Sequence, residues 1–408
     1  MPCALFTLYN RRTAMTKHYL ITFKPLGAFY FGGEQTFGSG AQTNYFVKSN
    51  YFPQQTGILG LLRYELLLQN GLLNAGKSKK LSSGAANLIG SKSFHFNGSN
   101  STIDFGAIER ISPLFILDKN KKKLLPAPFD IRSNSKYLTY EFREKAESKT
   151  NLKIDAKAVT LTYNEGKKHY SEKDGIYHQF INKDKKLFQY LPRKDDFDNP
   201  IYEKRSDEDK LYQDYIFLEN QKIGIHKAGT DESFYKQTKL QFNEGYAFAI
   251  YATLDVPAGK TFKSNTVFMG GDKSAFEMTV EEVQEFKTPI YNEAVINTNN
   301  EDIKKLILTS PAFVDKGIYD HCVFAISEQQ SFRFLQTSVE ETECYYNLDN
   351  NKYKMNAKKS APYKSEQFNL LKAGSVFYYK DEKLQGLEDE LNKHPQFKQI
   401  GYNYYQTK

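Results

Sequence analysis

The stretch that decides the fold is FYFGGEQTFGSGA at residues 29–41, which leads to FPQQTGILGLLRYELL at residues 52–67. Residues 18–24 precede it and alternate in polarity with the two-residue period of a half-buried strand. Apolar residues then recur at helical spacing over residues 56–70, and Gly71 follows as a stop signal. The sequence therefore predicts a strand, a glycine-rich loop and an amphipathic helix in succession.

Such a loop has two interpretations. Helix N-termini present free N–H groups, and glycines let a phosphate-bearing backbone come close, so the loop is suited to a phosphate group or an RNA backbone. It matches no established phosphate-loop pattern, however, and the glycines could instead shape a long turn. The motifs later in the chain bear on this choice.

The composition is that of a globular protein with a mild basic excess. Its 408 residues are enough for two or three domains, and 40% hydrophobic with 25% charged residues is an ordinary balance. The formal net charge of +8, with 29 Tyr, 31 Phe and no Trp, permits nucleic-acid binding by phosphate contacts and base stacking without proving it. No run approaches the ~18 consecutive apolar residues of a membrane span.

Cysteine usage and the N-terminal segment predict a cytoplasmic protein. Cys3, Cys322 and Cys344 make neither a disulfide framework nor a CxxC pair, which favours a reducing compartment. In residues 1–14 the charged pair follows the apolar patch, the reverse of a secretory signal, and Met15 stands just before the first strand. We therefore expect residues 1–14 to be a dispensable leader. The spacing of Cys and His fits no metal site, and we expect no cofactor.

The pattern along the chain predicts an α+β fold in two halves separated by an insertion. The first domain would span residues 15–130 and the second residues 223–408. Residues 131–222 are dense in tyrosine and in charges of both signs, and we expect them to project from the body. In the second half, residues 244–255 alternate as a long strand, residues 280–286 are a short helical candidate, and residues 384–392 are predicted to form a short acidic helix.

Further short motifs follow the opening loop. They consist of glycine turns, basic residues and strand starts, at residues 106–115, 125–130, 222–226, 243–246, 265–273, 372–378 and 399–403. In this order and spacing the motifs resemble the RAMP superfamily of CRISPR proteins, and within it the family that binds the crRNA 5′ handle as the third subunit of type III-B (Cmr) effectors. The resemblance covers about residues 18–405, and it rests on the succession of motifs, since no single motif is specific.

The resemblance implies a non-catalytic RNA-binding subunit of an antiviral ribonucleoprotein. Members of the family have two ferredoxin-like (RRM-like) domains with glycine-rich loops, and they grip the crRNA 5′ handle. A projecting thumb-like hairpin, which residues 131–222 would supply, distorts the guide–target duplex beside the handle. The implied partners are crRNA, the target RNA near the handle, the large polymerase/cyclase subunit and the backbone RAMP subunits.

The resemblance and the glycine pattern together assign RNA contacts to a set of residues. They are Gly32, Gly33, Gln35, Thr36, Lys48, Gln55, Gly57, Arg63, Arg110, His226, Lys227, Gly270, Gly271, Lys273, Gly374, Ser375, Gly401 and Tyr402. Arg63 could instead be a surface arginine paired with a glutamate, and Gly374 and Ser375 could merely shape the start of a strand. Lys273 stands where the family has arginine, which removes bidentate phosphate geometry.

The first loop lacks the arginine that the family usually carries there. Backbone N–H groups, or Lys48 and Arg110, would have to take its place in binding the handle.

Two other functions stay open. Related RAMP proteins cleave crRNA precursors with a histidine base, which needs a partner acid or cation, and His226 beside Lys227 or His18 would supply it here. The second alternative is an aromatic-rich module that binds glycan or protein. The absence of Trp and of paired cysteines argues against that module.

Overall fold

A computed structural model gives the fold of most of the chain. It describes side chains and backbone over residues 16–33, 46–73, 84–96, 101–130, 216–224, 236–291, 296, 302–336 and 364–408, and the backbone alone of residues 225–226, 233–235 and 363 and of short strands within residues 140–188 and 344–355. Across these described residues, no helix has the length and apolar character needed to span a membrane.

The largest sheet among the described residues, sheet I, has nine strands. In spatial order they are β11 (Leu187–Phe188), β10 (Phe180–Asn182), β5 (Lys123–Pro126), β4 (Phe115–Leu117), β14 (Ala247–Leu254), β1 (Lys17–Pro25), β16 (Ser274–Val283) and β15 (Asn265–Met269), with β3 (Ile108–Ile111) also paired to β14. β1 lies antiparallel to both of its neighbours and buries Ile21 and Phe23 on one face. The predicted first strand is confirmed.

Sheet II is smaller and packs against sheet I. Its strands are β26 (Tyr405–Thr407), β17 (Lys304–Leu308), β25 (Val376–Tyr379), β18 (Phe324–Ile326) and β9 (His169–Tyr170). Phe115 and Tyr251 of sheet I share one apolar cluster with Phe324 and Tyr378 of sheet II. This cluster joins the two sheets.

A long hairpin and several short pairings complete the strands. The hairpin consists of β12 (Phe217–His226) and β13 (Ser233–Phe242), to which β2 (Phe46–Lys48) adds in parallel, and we call these three strands the hairpin sheet. The short pairings are β19 (Gln329–Phe332) with β24 (Phe368–Leu371), β20 (Leu335–Gln336) with β23 (Tyr363–Lys364), β21 (Cys344–Asn347) with β22 (Lys352–Met355), and β6 (Tyr140–Glu144), β7 (Thr150–Ile154) and β8 (Thr160–Thr162) in one sheet.

The helices of the described part are short except for the first. They are α1 (Gln55–Gln69), α2 (Ala85–Ile89), α3 (Leu384–Asn392) and α4 (Pro395–Gln399), with 3₁₀ turns at Lys316–His321 and Asp381–Lys383. On α1, Ile58, Leu62 and Leu66 recur four residues apart, are fully buried and share the apolar core with β1. Gly71 follows α1 in the left-handed conformation, at φ +66°. The predicted helix and its stop signal are confirmed.

An aromatic core fixes the start of the first loop. Phe29 exchanges two backbone hydrogen bonds with Leu240 of β13, at 2.7 and 2.9 Å. Its ring lies 5.5–6.5 Å, centroid to centroid, from the rings of Phe217, Phe242, Phe248 and Phe276. Each aromatic pair at such a distance contributes ~0.5–1.5 kcal/mol beyond the area it buries. Residues 30–33 therefore start beside the hairpin sheet.

The order of strands crosses the predicted domain boundary. β14, β15 and β16 come from the predicted second domain, yet they complete sheet I around β1. β10 and β9 lie within the predicted insertion, and they pair with β5 of sheet I and β18 of sheet II. A boundary at residue 222 therefore does not separate the two sheets. Strand pairing joins segments from both sides of that residue, although their compositions differ.

One predicted helix is a strand. Residues 280–286 were expected to be helical, but β16 runs through Val283 and pairs with residues 18–25 of β1. Phe276 and Met278, earlier in the same strand, are fully buried two residues apart, and pairing with β1 continues the strand through residues 280–283.

Candidate nucleic-acid interface

Three segments that lie far apart in the sequence meet beyond the end of β1. The Gly271 N–H donates to the Tyr30 carbonyl oxygen at 3.2 Å, and the Asn50 N–H donates to the Phe31 carbonyl oxygen at 2.9 Å. The Phe31 N–H donates to Ser49 Oγ, also at 2.9 Å. We call residues 30–33, 49–50 and 270–273 the glycine cluster. It brings together Gly32, Gly33, Gly270, Gly271 and Lys273, all predicted from the sequence to contact RNA.

The glycines of this cluster differ in backbone conformation and in the space that a Cβ atom would have. Gly270 has φ +81°, and a Cβ there would collide with the Tyr30 carbonyl oxygen. Gly271 has no left-handed backbone, and a Cβ there would come no closer than 3.7 Å, to Cδ1 of the Tyr30 ring. At Gly32 the nearest atom is Cε1 of the same ring, also at 3.7 Å. The half-buried Tyr30 ring thus lies close to both Gly32 and Gly271.

Lysines and carboxylates border the cluster. Lys239 Nζ lies 2.6 Å from Asp272, and Gln237 Nε2 donates to the same carboxylate at 3.3 Å. Burial, and then the charge of Asp272, raise the pKa of Tyr30. Lys48, predicted from the sequence, forms an ion pair with Glu219 of the hairpin. Lys273 is exposed and has no ion-pair partner within 4 Å among the residues that the structure describes.

The hairpin sheet extends this surface. Ile223, Lys236 and Phe46 lie side by side on its three strands, and Ile223 and Phe46 are 59% and 47% exposed. Lys236 Nζ lies 5.5 Å from the centre of the Phe46 ring. An exposed row of aromatic, aliphatic and basic side chains next to a glycine-lined loop suits unpaired nucleotides. Sequence reasoning missed Phe46 and Lys236 because only the strand pairing reveals this row, and it missed Tyr30 because its contacts with Gly32 and Gly271 depend on the fold.

Among the predicted residues that lie elsewhere, Arg110 is at the opposite end of sheet I and three others meet at the start of α1. Arg110 of β3 is the cross-strand partner of Thr253 in β14, and Thr253 is in turn the partner of His18 at the start of β1. The glycine cluster lies beyond the other end of β1, about 20 Å away at ~3.3 Å per residue. Arg110 donates from Nε to Thr253 Oγ1 at 3.0 Å, and its guanidinium lies 4.0 Å from the centre of the Phe286 ring. Arg110 therefore does not join the cluster.

The other three, Gln55, Gly401 and Tyr402, form a buried contact at the start of α1. Gln55 is 3% exposed, and its Nε2 donates to the Ser112 carbonyl oxygen at 2.8 Å. Gly401 has φ +95°, and a Cβ there would collide with Gln55 and Ser112. Burial raises the pKa of Tyr402, although the first amides of α1 lie near its phenol and oppose that shift. The N-terminus of α1 therefore faces protein.

Gly374 and Ser375 also have structural partners. The Gly374 carbonyl oxygen accepts from the Phe129 N–H at 2.9 Å, and a Cβ on Gly374 would collide with the Ala127 carbonyl oxygen. Ser375 is fully buried and its hydroxyl donates to the Lys372 carbonyl oxygen at 2.7 Å. These contacts explain Gly374 and Ser375 as residues that shape the start of β25, which was the alternative to an RNA contact.

The remaining predicted residues are spread along α1 and the hairpin. Gly57 is exposed on α1, and a Cβ there would meet no atom within 4 Å, whereas Arg63 is buried on the same helix. His226 ends β12, where only the backbone is described. Gln35, Thr36 and Lys227 lie outside the described residues. In the described part of the chain, no group of three or more His, Cys, Asp or Glu side chains could hold a metal ion.

The described residues thus form an α+β protein in which a glycine-lined, lysine-bordered loop lies beside the exposed ring of Phe46. The family model described as CRISPR-associated protein (Cas_Cmr3) matches residues 21–406 of the chain. The chain therefore belongs to this Cmr3 family of CRISPR-associated proteins, which confirms the resemblance that the motifs indicate.

The chain is also similar to chains in two solved structures. One is a cryo-EM structure of the type III-B Cmr-beta bound to cognate target RNA, with a TM-score of 0.44, 15% identity and 96% of each chain covered. The other is the same assembly bound to cognate target RNA and AMPPnP, with a TM-score of 0.43, 16% identity and the same coverage. No curated protein sequence matches the chain.

Proposed function

We propose that this chain is the subunit of a type III-B CRISPR effector that binds the 5′ handle of crRNA. The observation that carries the proposal is the convergence of residues 30–33, 49–50 and 270–273 into one glycine cluster beside an exposed basic and aromatic row. Membership of the Cmr3 family supports it. Two ferredoxin-like domains, built partly from sheets I and II, are part of the same proposal.

The chemistry of the cluster suits a single strand of RNA. The glycines admit the sugar–phosphate backbone, and Lys273 and Lys236 supply positive charge for phosphates. Tyr30 and Phe46 present rings on which unpaired bases can stack. Because Lys48 and Lys239 already pair with carboxylates, few counterions would be released on binding. We therefore expect modest affinity for the isolated handle, with neighbouring subunits adding the remainder.

We also propose that the subunit does not cleave RNA, and that it distorts the guide–target duplex next to the handle. His18 bonds to Thr253 Oγ1 at 3.1 Å and lies at the end of sheet I away from the cluster, which does not favour it as a base for RNA bound there. We assign this distortion to residues 131–222, the end of which, residues 217–222, forms the start of β12 in the hairpin sheet. The large polymerase/cyclase subunit and the backbone subunits remain the proposed protein partners.

The salt dependence of handle binding tests the proposal. Fluorescence anisotropy of a labelled handle RNA would be measured at several salt concentrations for the wild-type chain, Lys273→Gln and Lys236→Gln. Each lysine that contacts a phosphate should lower the slope of log K against log salt by about 0.7 when it is removed. Lys304→Gln is the matched control, since Lys304 lies in sheet II and pairs with Asp381.

Two results would contradict the proposal. Variants of the cluster that bind as the control does would remove the glycine cluster from the interface. Cleavage of repeat-containing RNA by the pure chain, abolished by His226→Ala or His18→Ala, would instead support the endoribonuclease.

A further inference from the structure

β15 forms an outer edge of sheet I. Among the described residues, no strand pairs with β15 on the side away from β16. The sequence of β15, Asn-Thr-Val-Phe-Met, contains neither a charged residue nor a proline, with which proteins commonly protect an edge strand from pairing. Val267 is fully buried in the apolar core, whereas the next residue, Phe268, is 61% exposed. β15 is therefore held by the core on one face and open to pairing along its outer edge.

The backbone of Phe268 points away from the rest of the sheet. The Leu26 N–H, just after β1, donates to the Ala275 carbonyl oxygen of β16 at 2.9 Å, so Ala275 turns its peptide groups toward β1. Ala275 is also the cross-strand partner of Phe268, and these two residues therefore form a pair without hydrogen bonds between them. The N–H and C=O groups of Phe268 thus face the open edge. Those of Thr266, two residues earlier, face the same way.

Two side-chain contacts agree with this alternation. The Val280 N–H donates to Ser264 Oγ, just before β15, at 2.9 Å, so the even-numbered residues of β16 turn their peptide groups toward β15. The Thr266 N–H donates to Asn265 Oδ1 at 2.9 Å, not to β16. This leaves the Phe268 N–H and the carbonyl oxygens of Thr266 and Phe268 directed to the edge, where no described strand lies to pair with them.

A small apolar surface lies beside these backbone groups. Phe268, Ala275 and Leu26 stand side by side on one face of sheet I, and Leu26 is 59% exposed. A strand laid along β15 would place every second side chain on this face. The surface of Leu26 and Phe268 therefore suits an apolar side chain of such a strand.

Carboxylates continue the same face. Glu277 and Glu281 are exposed on β16, and neither has an ion-pair partner within 4 Å in the described part of the chain. Lys24 is the exposed cross-strand partner of Glu277. Two glutamates against one lysine leave this face with an excess of negative charge, although the formal net charge of the chain is +8. Such a face favours lysine or arginine of a partner over the phosphates of RNA.

We propose that the outer edge of β15 binds an extended, basic strand of another protein chain by β-strand addition. The strand bonds to the backbone of Thr266 and Phe268, packs an apolar side chain on Phe268 and Leu26, and places a lysine or arginine near Glu277. Unpaired N–H and C=O groups at strand spacing select a polypeptide, and the carboxylates select a basic one. The proposal rests on the proposed function only in placing the chain within a multisubunit effector, since it needs no RNA at the glycine cluster.

Hydrogen exchange at single residues tests the edge. Exchange of the backbone amides would be compared between the isolated full-length chain and the multisubunit complex purified from its host with the chain in it. We expect the Phe268 amide to exchange freely in the isolated chain and at least a hundredfold more slowly in the complex. The Val267 amide, which points into the ladder with β16, should be protected in both. Equal exchange of Phe268 in the two samples, or its protection by handle RNA alone, would overturn the proposal.

Variants of Phe268 test the pairing itself. Phe268→Pro removes the outward N–H without removing a hydrogen bond to β16, whereas Phe268→Thr keeps that N–H and removes the ring. Leu335→Thr is the matched control, because Leu335 is also 59% exposed but lies in β20, outside sheet I. We expect Phe268→Pro to bind a complex prepared without this chain at least tenfold more weakly than the control does, with Phe268→Thr in between. If Phe268→Pro does not fold, Phe268→Thr decides by the same comparison.

The remaining outcomes identify the occupant of the edge. Equal binding of the Phe268 variants and the control overturns the proposal. Self-association of the isolated wild type in sedimentation, abolished by Phe268→Pro, assigns the edge to a second copy and overturns the choice of partner. Handle RNA binding is measured in parallel: a wild type that does not bind the handle, yet enters the complex through Phe268, refutes the proposed function and supports the edge.

Discussion

Replacing Asp130 by Asn should strongly destabilise the chain without changing its shape. Asp130 and Lys305 form an ion pair of 3.0 Å between the two sheets, and each side chain is only 3% exposed. Tyr378 donates its hydroxyl to the same Asp130 oxygen at 2.6 Å, and the Tyr378 ring stacks on Phe324 with centroids 4.4 Å apart. Asn keeps an acceptor for Tyr378, so the substitution isolates the loss of charge.

The expected magnitude follows from the burial of both partners. Removing one member of a buried pair leaves the other charge uncompensated and costs about 3–5 kcal/mol. Asp130→Asn leaves the ammonium of Lys305 alone, and Lys305→Met leaves the carboxylate with Tyr378 as its one remaining partner in the contacts described. The double variant removes both charges, so we expect it to recover most of the loss and to lie within about 2 kcal/mol of the wild type.

Urea unfolding of the four proteins measures these differences, provided that the dependence on denaturant stays the same in all of them. The double-mutant cycle then gives the coupling between Asp130 and Lys305. Single variants that cost less than about 1 kcal/mol, or a double variant that costs the sum of the two, would refute the reasoning, because either result means that water or another group already compensates the charges.

Three further predictions concern glycine positions and pH. Gly270→Ala should destabilise by about 1–3 kcal/mol, because of its φ of +81° and the collision with Tyr30, while Gly271→Ala should unfold as the wild type does in the same thermal assay. Gly57→Ala should stabilise by up to about 1 kcal/mol, since Gly57 is exposed within a helix with open space around it, and a simultaneous loss of handle affinity would show that RNA backbone lies against that turn. Burial among Phe96, Phe313 and Phe397 lowers the pKa of His394, so the folded state disfavours protonation of the imidazole. The free energy of unfolding should therefore fall as the pH drops below the unfolded pKa of about 6.5. Urea unfolding at pH 7.5 and 5.5 should show this loss in the wild type and a smaller loss in His394→Phe.

Secondary structure could be predicted from the sequence where it depends on the local pattern of apolar residues. β1, α1 and α3 follow from two-residue or helical periodicity, with a glycine stop after α1, and their predicted extents differ from the observed ones by a residue or less at each end. The segment VEEV at residues 280–283 shows where this fails. Its spacing of valines fits a helix, yet pairing with β1 over eight residue pairs makes it the end of a strand.

The glycine cluster could be predicted only in part, for a related reason. The glycines were visible as turns, but the contact of Gly271 with Tyr30 spans most of the chain and depends on β16 pairing with β1. The exposed row of the hairpin sheet likewise depends on β2 joining β13 in parallel, a register that no local pattern encodes.

Burial therefore divides the predicted RNA contacts into residues that support the fold and residues that are free to contact RNA. Gln55 and Gly401 are buried. Gln55 donates a hydrogen bond to the Ser112 carbonyl oxygen, and the backbone of Gly401 packs against the same oxygen, so the two residues hold three distant segments together. Gly271 and Lys273 are exposed and lie in the cluster. Substitution of the first pair should weaken RNA binding only by lowering the folded fraction, and the loss should vanish when affinity is calculated per folded molecule. Substitution of Lys273 should weaken binding at constant stability, and a variant of Gln55 that folds fully yet fails to bind would show that the start of α1 contacts RNA after all.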